Sequence, residues 1–353
     1  MLGRLAQVEV DPKSAAPDFW KRYHAYRRLR HAETRPDDPV QPDEVAERDM
    51  QRDDPFEFHY RYEVGRDSLM LSWFTAATAK PGSPGYESNK HLMWFDASVH
   101  PDDRRSGLGK TWIPLAVELM DRHGCTTLST GSEEASGHAF LKWLGAEARL
   151  NEAEYRLKLA DVDWNMVGRW AEDGPRLAPS SKLEVYDGRM PEEMWEDYCP
   201  QIASMLKTVP LDNLDIGEIT STPAQLVEWY ARMDIADMTE HKMLTREPDG
   251  VISGMTAMQY VPYQPKLIHQ GFTGVRQDAQ RRGLGKWLKA AMLLHVSKLY
   301  PSVEVVVTEN AGSNVPMLAI NSKLGFKPYL AGTEYQMSRD RLAERLDELN
   351  ARA

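Results

Sequence analysis

The chain has 353 residues, 42% hydrophobic and 27% charged. At roughly 150 residues per domain this predicts two domains with cores of their own, and excludes a single small module or a largely disordered chain. Forty-three Lys and Arg against 53 Asp and Glu give a net charge of −10, which repels a phosphate backbone or an anionic membrane at long range, so neither nucleic acid nor membrane is expected as a partner.

Cys125 and Cys199 are the only cysteines and lie far apart, so neither a disulfide framework nor a metal site is expected. The first 30 residues carry Asp11, Lys13, Asp18, Arg27, Arg28 and Arg30 and lack the apolar core of a signal peptide. No segment reaches the roughly 18 apolar residues of a membrane helix, and the expected location is the cytoplasm.

Strand-like runs over 56–64, 68–74 and 91–96 are separated by Gly/Asp and Gly/Pro turns. They lead into Val99-His-Pro-Asp-Asp-Arg-Arg-Ser-Gly-Leu-Gly-Lys110, followed by a strand over 126–130 and a helix over 138–144 ended by Gly145. The stretch 161–182, with Asp173-Gly-Pro and Ala178-Pro-Ser-Ser, is turn-rich and reads as a join. Strands over 241–246, 251–258 and 266–275 then lead into Val275-Arg-Gln-Asp-Ala-Gln-Arg-Arg-Gly-Leu-Gly-Lys286. After it, Leu284, Leu288, Ala291, Met292, Val296 and Leu299 recur at helical spacing until Pro301. A Val-rich strand over 303–308, a helix over 317–323 ended by Gly325, and a charged helical tail complete the chain.

The two Gly-rich segments align without gaps at an offset of 176 residues, with seven of 12 positions identical, and the same order of elements surrounds each. The expected organisation is a first domain over 1–160, a linker over 161–182, a second domain over 183–338 and a tail over 339–353. Each domain should hold helices, an antiparallel meander, then strand, Gly-rich turn, helix, strand and helix, an α/β (α+β) arrangement.

A strand running through Gln280-Arg-Arg-Gly-Leu-Gly285 directly into a helix presents free backbone N–H groups at a helix N-terminus, which is an anion cradle. Gly283 and Gly285 let the backbone approach a diphosphate. Arg281, Arg282, Lys286 and Lys289 add four positive charges in an otherwise acidic chain. The spacing fits neither the dinucleotide fingerprint, which needs Gly-x-Gly-x-x-Gly, nor a P-loop, which needs Gly-Lys-Ser/Thr.

Gln/Arg-x-x-Gly-x-Gly between a meander strand and a helix, followed by Thr308-Glu-Asn-Ala-Gly-Ser-Asn314 and Leu324-Gly-Phe326, resembles the GNAT acetyltransferase superfamily, and both halves fit, as in a tandem GNAT protein. The resemblance implies two GNAT-type domains, each a mixed, mostly antiparallel sheet flanked by helices with a split between two central strands. It implies acetyl-CoA or another acyl-CoA as co-substrate. The pyrophosphate would lie on Gln280, Arg281, Arg282, Gly283, Leu284, Gly285 and Lys286, and the thioester beside the Gly274 and Val275 backbone. Asn310 and Asn314 would bind the pantetheine arm or cap the following helix.

The implied reaction is direct acyl transfer to an amine. Where many members carry a Tyr acid this chain has Asn321, which cannot supply a proton; Tyr329, Tyr335 or water are the substitutes. Glu309 and His269 are the candidate bases. The first copy retains Val99, Arg104, Arg105, Gly107, Gly109 and Lys110 as a candidate second CoA site. Its second motif departs from the pattern, with Glu133 and Glu134 beside the pantetheine path, so the N-terminal half is expected to be non-catalytic. Asp212, Asp215, Glu218, Asp234, Asp237 and Glu240 suggest a small, amine-bearing, cationic acceptor, or a solvated surface. The expected enzyme is an N-acetyltransferase acting on a small-molecule amine, as a monomer or homodimer. A non-catalytic acyl-CoA sensor or scaffold and a protein N-acetyltransferase are the alternatives.

Overall fold

The computed structural model describes residues 6–351. In chain order the elements are β1 (Gln7–Glu9), α1 (Pro17–Thr34), α2 (Asp43–Gln51), β2 (Glu57–Arg66), β3 (Leu69–Ala79), α3 (Tyr86–Asn89), β4 (Leu92–Val99), α4 (Ile113–His123), β5 (Thr127–Ser132), α5 (Ala135–Leu144) and β6 (Glu147–Lys158). Then follow α6 (Trp164–Leu177), β7 (Lys182–Asp187), α7 (Trp195–Leu206), α8 (Pro223–Ile235), β8 (Thr239–Arg246), β9 (Ile252–Tyr260), β10 (Leu267–Val275), α9 (Leu284–Leu299), β11 (Val305–Ala311), α10 (Val315–Leu324), β12 (Lys327–Ser338) and α11 (Arg339–Asn350).

The chain forms two compact units. The first takes the chain up to Leu150, Asn213–Glu218 and everything from Gly332 on; the second takes Asn151–Asp212 and Ile219–Ala331. In the first the strand order is β1-β2-β3-β4-β5-β12. β4 and β5 run parallel only over Leu92–Trp94 against Thr127–Ser129, and the other pairings are antiparallel. The second unit repeats the pattern as β7-β8-β9-β10-β11-β6. There the one parallel pair is β10 with β11, over Leu267–Gln270 against Val305–Thr308.

These boundaries correct the expected 1–160, 161–182, 183–338 and 339–353, and the cause is an exchange of strands. β6, from the first half of the sequence, supplies the partner of β11 along Val305–Ala311. β12, from the second half, supplies the partner of β5 from Thr333 to Ser338. The expected linker is largely helix α6, with Asp173-Gly-Pro inside its last turns. It packs on α9: a Cβ at Gly174 would lie 2.1 Å from Trp287 Cγ, so the backbone there rests on the indole. The tail belongs to the first unit through α11, whose Leu342 is buried in the first core. The chain ends at 1–5 and 352–353 lie outside the described residues.

Each unit has a core between its sheet and the helix after its Gly-rich turn. The first gathers Phe74, Trp112, Leu119 and Met120. Its buried indole N–H is satisfied, since Trp112 Nε1 donates to Ser72 Oγ at 2.8 Å. The second gathers Met258, Ile268, Leu288, Met292, Val296 and Val306. At the edge of the second sheet, Asp187 Oδ1 meets His241 Nδ1 at 2.5 Å and His295 Nε2 at 2.8 Å, tying β7, β8 and α9 together.

Candidate active site

In the second unit β10 runs into a short 3-10 turn at Gln277–Ala279 and then into α9. Arg281 takes a left-handed φ of 65° and Gly283, the N-cap of α9, a φ of 81°. These two left-handed residues turn the chain sharply enough for the helix to begin at Leu284. No side chain caps α9, so its first-turn N–H groups, which have no intrahelical partner, and the positive end of the helix dipole remain for an anion. Arg281 and Lys286 are exposed beside this terminus, with Lys286 Nζ 5.3 Å from the centre of the Trp170 ring.

β10 and β11 part where their parallel ladder ends at Gln270 and Thr308, and β10 carries an irregularity between Gln270 and Thr273. The split opens into a cavity of about 410 Å³, lined by Val209, Gln259, His269 to Thr273, Lys289, Val307 to Ala311, Asn314 and Met317. Gln270 is buried and its amide donates to Ala257 O at 2.7 Å, which fixes the strand where it diverges. Asn310 is buried and its Nδ2 has no hydrogen-bond partner among the described residues, leaving a donor in the wall of the split. Asn314 Oδ1 accepts from Met317 N, so it caps α10 while lining the cavity. His269 Nε2 hydrogen-bonds Gln264 Oε1 at 2.9 Å.

The first unit has the same turn with a different surrounding. Arg105 has φ 64° and Gly107 φ 96°, but the chain then winds as a 3-10 turn over Gly109–Trp112 before α4 begins at Ile113, with Pro114 in its first turn. Arg104 Nη2 donates to Glu33 Oε2 at 2.9 Å and lies 3.5 Å from Glu134 Oε1. Arg30, on α1, also bonds Glu134, and Arg35 holds Glu133 through two bonds of 2.8 Å. Ion pairs from α1 and from Arg35, the residue that follows it, therefore engage the acidic residues that follow β5.

No protein-family model and no curated protein matches the chain. Solved structures do. A tandem GNAT protein from the clavulanic acid biosynthesis pathway, solved without AcCoA, superposes with a TM-score of 0.74 at 20% identity, covering 95% of this chain and 98% of that one. A GCN5-related N-acetyltransferase from Sphaerobacter thermophilus gives a TM-score of 0.62 at 14% identity, covering 95% of both chains. A glucosamine N-acetyltransferase region of a fungal multi-domain GH3 β-N-acetylglucosaminidase gives 0.59 at 11%, covering 95% of this chain and 38% of that one. The fold is that of a tandem GNAT protein.

Within this tandem GNAT fold, Gly274, Val275, Gln280 to Lys286, Asn310 and Asn314 gather around the turn and split of the second unit, and Glu309 and His269 line its cavity. Asn321 is buried in α10, with neither side-chain amide atom hydrogen-bonded among the described residues. Tyr335 departs from expectation. It belongs to the first unit, where it pairs with Thr130 and its hydroxyl shares a 3.0 Å hydrogen bond with His138 Nδ1, because β12 has crossed to β5.

Two of the four turn cations depart as well. Arg282 Nη1 donates to Glu247 Oε1 at 2.9 Å, and its other end bonds Ser181. Burial raises the Glu247 carboxyl, but the bonds from Arg282, Ser181, Ser253 and Ser180 outweigh it and hold the group down at about 2. Lys289 turns inward and is 2% exposed.

The acidic set proposed for the acceptor is divided between the two units. Asp215 and Glu218 belong to the first unit. Asp234 pairs with Arg189, and buried Glu240 pairs with Lys242 and receives Trp229 Nε1. Sequence reasoning also missed the cavity wall of Gln259, Gln270 and Thr273. The inward turn of Lys289 had a signal, since it stands four residues after Gly285 and three, four and seven before buried Met292, Leu293 and Val296.

Proposed function

We propose that the second unit is an N-acyltransferase that moves an acetyl or other short acyl group from acyl-CoA to the primary amine of a small metabolite by direct attack in a ternary complex. The observation that carries this reading is the coincidence, in one unit, of an uncapped α9 terminus with exposed Arg281 and Lys286 and a polar cavity where β10 leaves β11. The first unit has the turn without those surroundings, and we assign it a structural role with no CoA bound.

The donor suits the residues present. The α9 N–H groups, Arg281 and Lys286 would hold the pyrophosphate, with each charge-assisted bond contributing roughly 1.5–3 kcal/mol. The buried Asn310 Nδ2 would satisfy itself on a pantetheine carbonyl. Bound acyl-CoA supplies an activated thioester carbonyl. The backbone N–H groups near Gly274 and Val275 polarise that carbonyl, and Glu309 or His269 accepts the proton of the acceptor amine.

The cavity wall offers neutral amides, the hydroxyls of Thr273 and Thr308, Phe272, His269, buried Lys289 and one exposed carboxylate, Glu309, which suits a polar, amine-bearing acceptor. The structural likeness to a glucosamine N-acetyltransferase region makes amino sugars a first choice for assay. The test is thiol release from acetyl-CoA with a pool of primary amines including amino sugars and polyamines. Amine-dependent release, lost on substitution in the second unit alone, supports the reading. CoA binding without turnover across the pool would make the protein a sensor instead.

A further inference from the structure

Lys289 is 2% exposed, as deeply buried as the core side chains around it, yet it lines the cavity of the second unit. Among the described residues no carboxylate lies within ion-pair distance of Nζ, which instead faces the Phe326 ring, 5.5 Å from its centre. Burying an ammonium without an anion costs several kcal/mol, and a Leu or Met would fill the same helical position on α9. Two other polar groups of this region are also left without partners: Asn310 Nδ2 on β11, and both side-chain atoms of Asn321 on α10. Asn321 occupies the motif position where the resemblance places a proton-donating Tyr, and an amide cannot take that role.

The remaining groups around the cavity limit the choice. β10 contributes His269, whose Nε2 is engaged by Gln264. β11 contributes Glu309, and β9 contributes Gln259, which bonds the Glu240 carboxylate paired to Lys242 on β8. From α10 come Asn314 and Met317, and from the chain after α7 comes Val209. Lys289 is the one cation among the cavity's lining residues.

We propose that Lys289 faces the sulfur of bound coenzyme A and gives its proton to the departing thiolate, taking the place of the absent hydroxyl. The inference rests on the acyl-CoA reading above. As the acceptor nitrogen forms its bond to the acyl carbon, the carbon–sulfur bond breaks with its electron pair left on sulfur, and Lys289 Nζ transfers a proton to that sulfur. The acceptor nitrogen loses a proton to base or solvent, and the neutral Lys289 amine regains one from solvent. Burial pushes the Lys289 amine down to about 7, so the protonated and neutral forms interconvert near neutral pH without a large barrier to resetting.

The test uses the full chain with coenzyme A carrying a free thiol, so no acceptor is needed. Binding is measured by calorimetry, and the thiolate by its ultraviolet absorbance as a function of pH, in the wild type, Lys289→Met and Lys289→Arg. In the wild type the thiolate fraction at pH 7 should exceed that of free coenzyme A by at least about tenfold, because an adjacent cation favours the thiolate and the two groups titrate as a pair. Lys289→Arg should retain the excess, and Lys289→Met should lose it while still binding coenzyme A. A bound thiol that titrates in the wild type as it does free overturns the inference whatever the variants do. Equal titration in wild type and Lys289→Met does the same. Absence of coenzyme A binding to the wild type overturns the acyl-CoA reading together with this one.

Discussion

Arg105 and Arg281 stand 176 residues apart and adopt one left-handed backbone conformation, with φ of 64° and 65°. Each precedes a left-handed glycine by two residues, Gly107 and Gly283. An L-residue pays roughly 1–2 kcal/mol for this conformation, so both copies keep a strained turn that the sequence repeat alone would not require. The two turns lead into different structures, an α-helix from Leu284 in one and a 3-10 turn from Gly109 in the other. Gly283→Glu and Gly107→Glu should therefore strain the backbone alike and separate in function. Gly283→Glu should weaken CoA binding more than 100-fold by calorimetry, and Gly107→Glu should leave it within about twofold. Native mass spectrometry of the wild type should count one CoA per chain, and a count of two would end the asymmetry.

The repeat, the meander strands and the Gly-rich turns were legible because period-2 and period-3.6 patterns are local. The strand exchange was not. Neither β6 nor β12 is among the predicted strands, and a ladder partner is in any case chosen by the fold, so nothing in Glu147–Lys158 names Val305–Ala311 as its mate. Sequence adjacency places Tyr335 in the second half, and the same exchange carries it to Thr130 and His138. Arg282 and Lys289 read as cations of the anion cradle because their charge is visible and their surroundings are not. Glu247 lies in a distant turn, and the burial of Lys289 shows only when its helical neighbours are counted.

Tyr335→Phe tests that relocation. The variant removes a buried hydroxyl bonded to His138 in the first unit, so it should lower stability by about 1 kcal/mol, read as a modest fall in Tm. Amine-dependent thiol release should keep its kcat. A tenfold loss of kcat without unfolding would return Tyr335 to the catalytic centre.

Arg281 and Arg282 are adjacent and should behave oppositely. Arg281→Ala should weaken CoA binding about tenfold with little change in Tm, since Arg281 is exposed. Arg282→Ala and Glu247→Gln should mainly destabilise, by about 1–3 kcal/mol at pH 7. The Glu247 carboxyl is held at about 2 against an ordinary 4.5. Its contribution is therefore fully present above pH 4.5 and is lost as pH falls toward 2. The difference in Tm between wild type and Glu247→Gln should be constant from pH 5 to 7 and close on acidification. A difference that persists unchanged at pH 2 would assign the loss to packing instead.

Lys289 makes the opposite linkage. Burial lowers its amine from an ordinary 10.5 to about 7. Between those values the unfolded chain binds a proton that the folded chain does not, so this group makes stability rise with pH across that window. Below about pH 7 both states are protonated and the penalty of the buried ammonium is complete; above 10.5 it is absent. Lys289→Met replaces the amine with an apolar chain of similar length and removes the penalty, at roughly 1.4 kcal/mol per pKa unit before relaxation. Its Tm should exceed that of the wild type by several degrees at pH 7, and the gap should narrow steadily toward pH 10 in thermal melts. A gap independent of pH, or a variant no more stable than wild type at pH 7, would show that the ammonium is solvated in the folded protein.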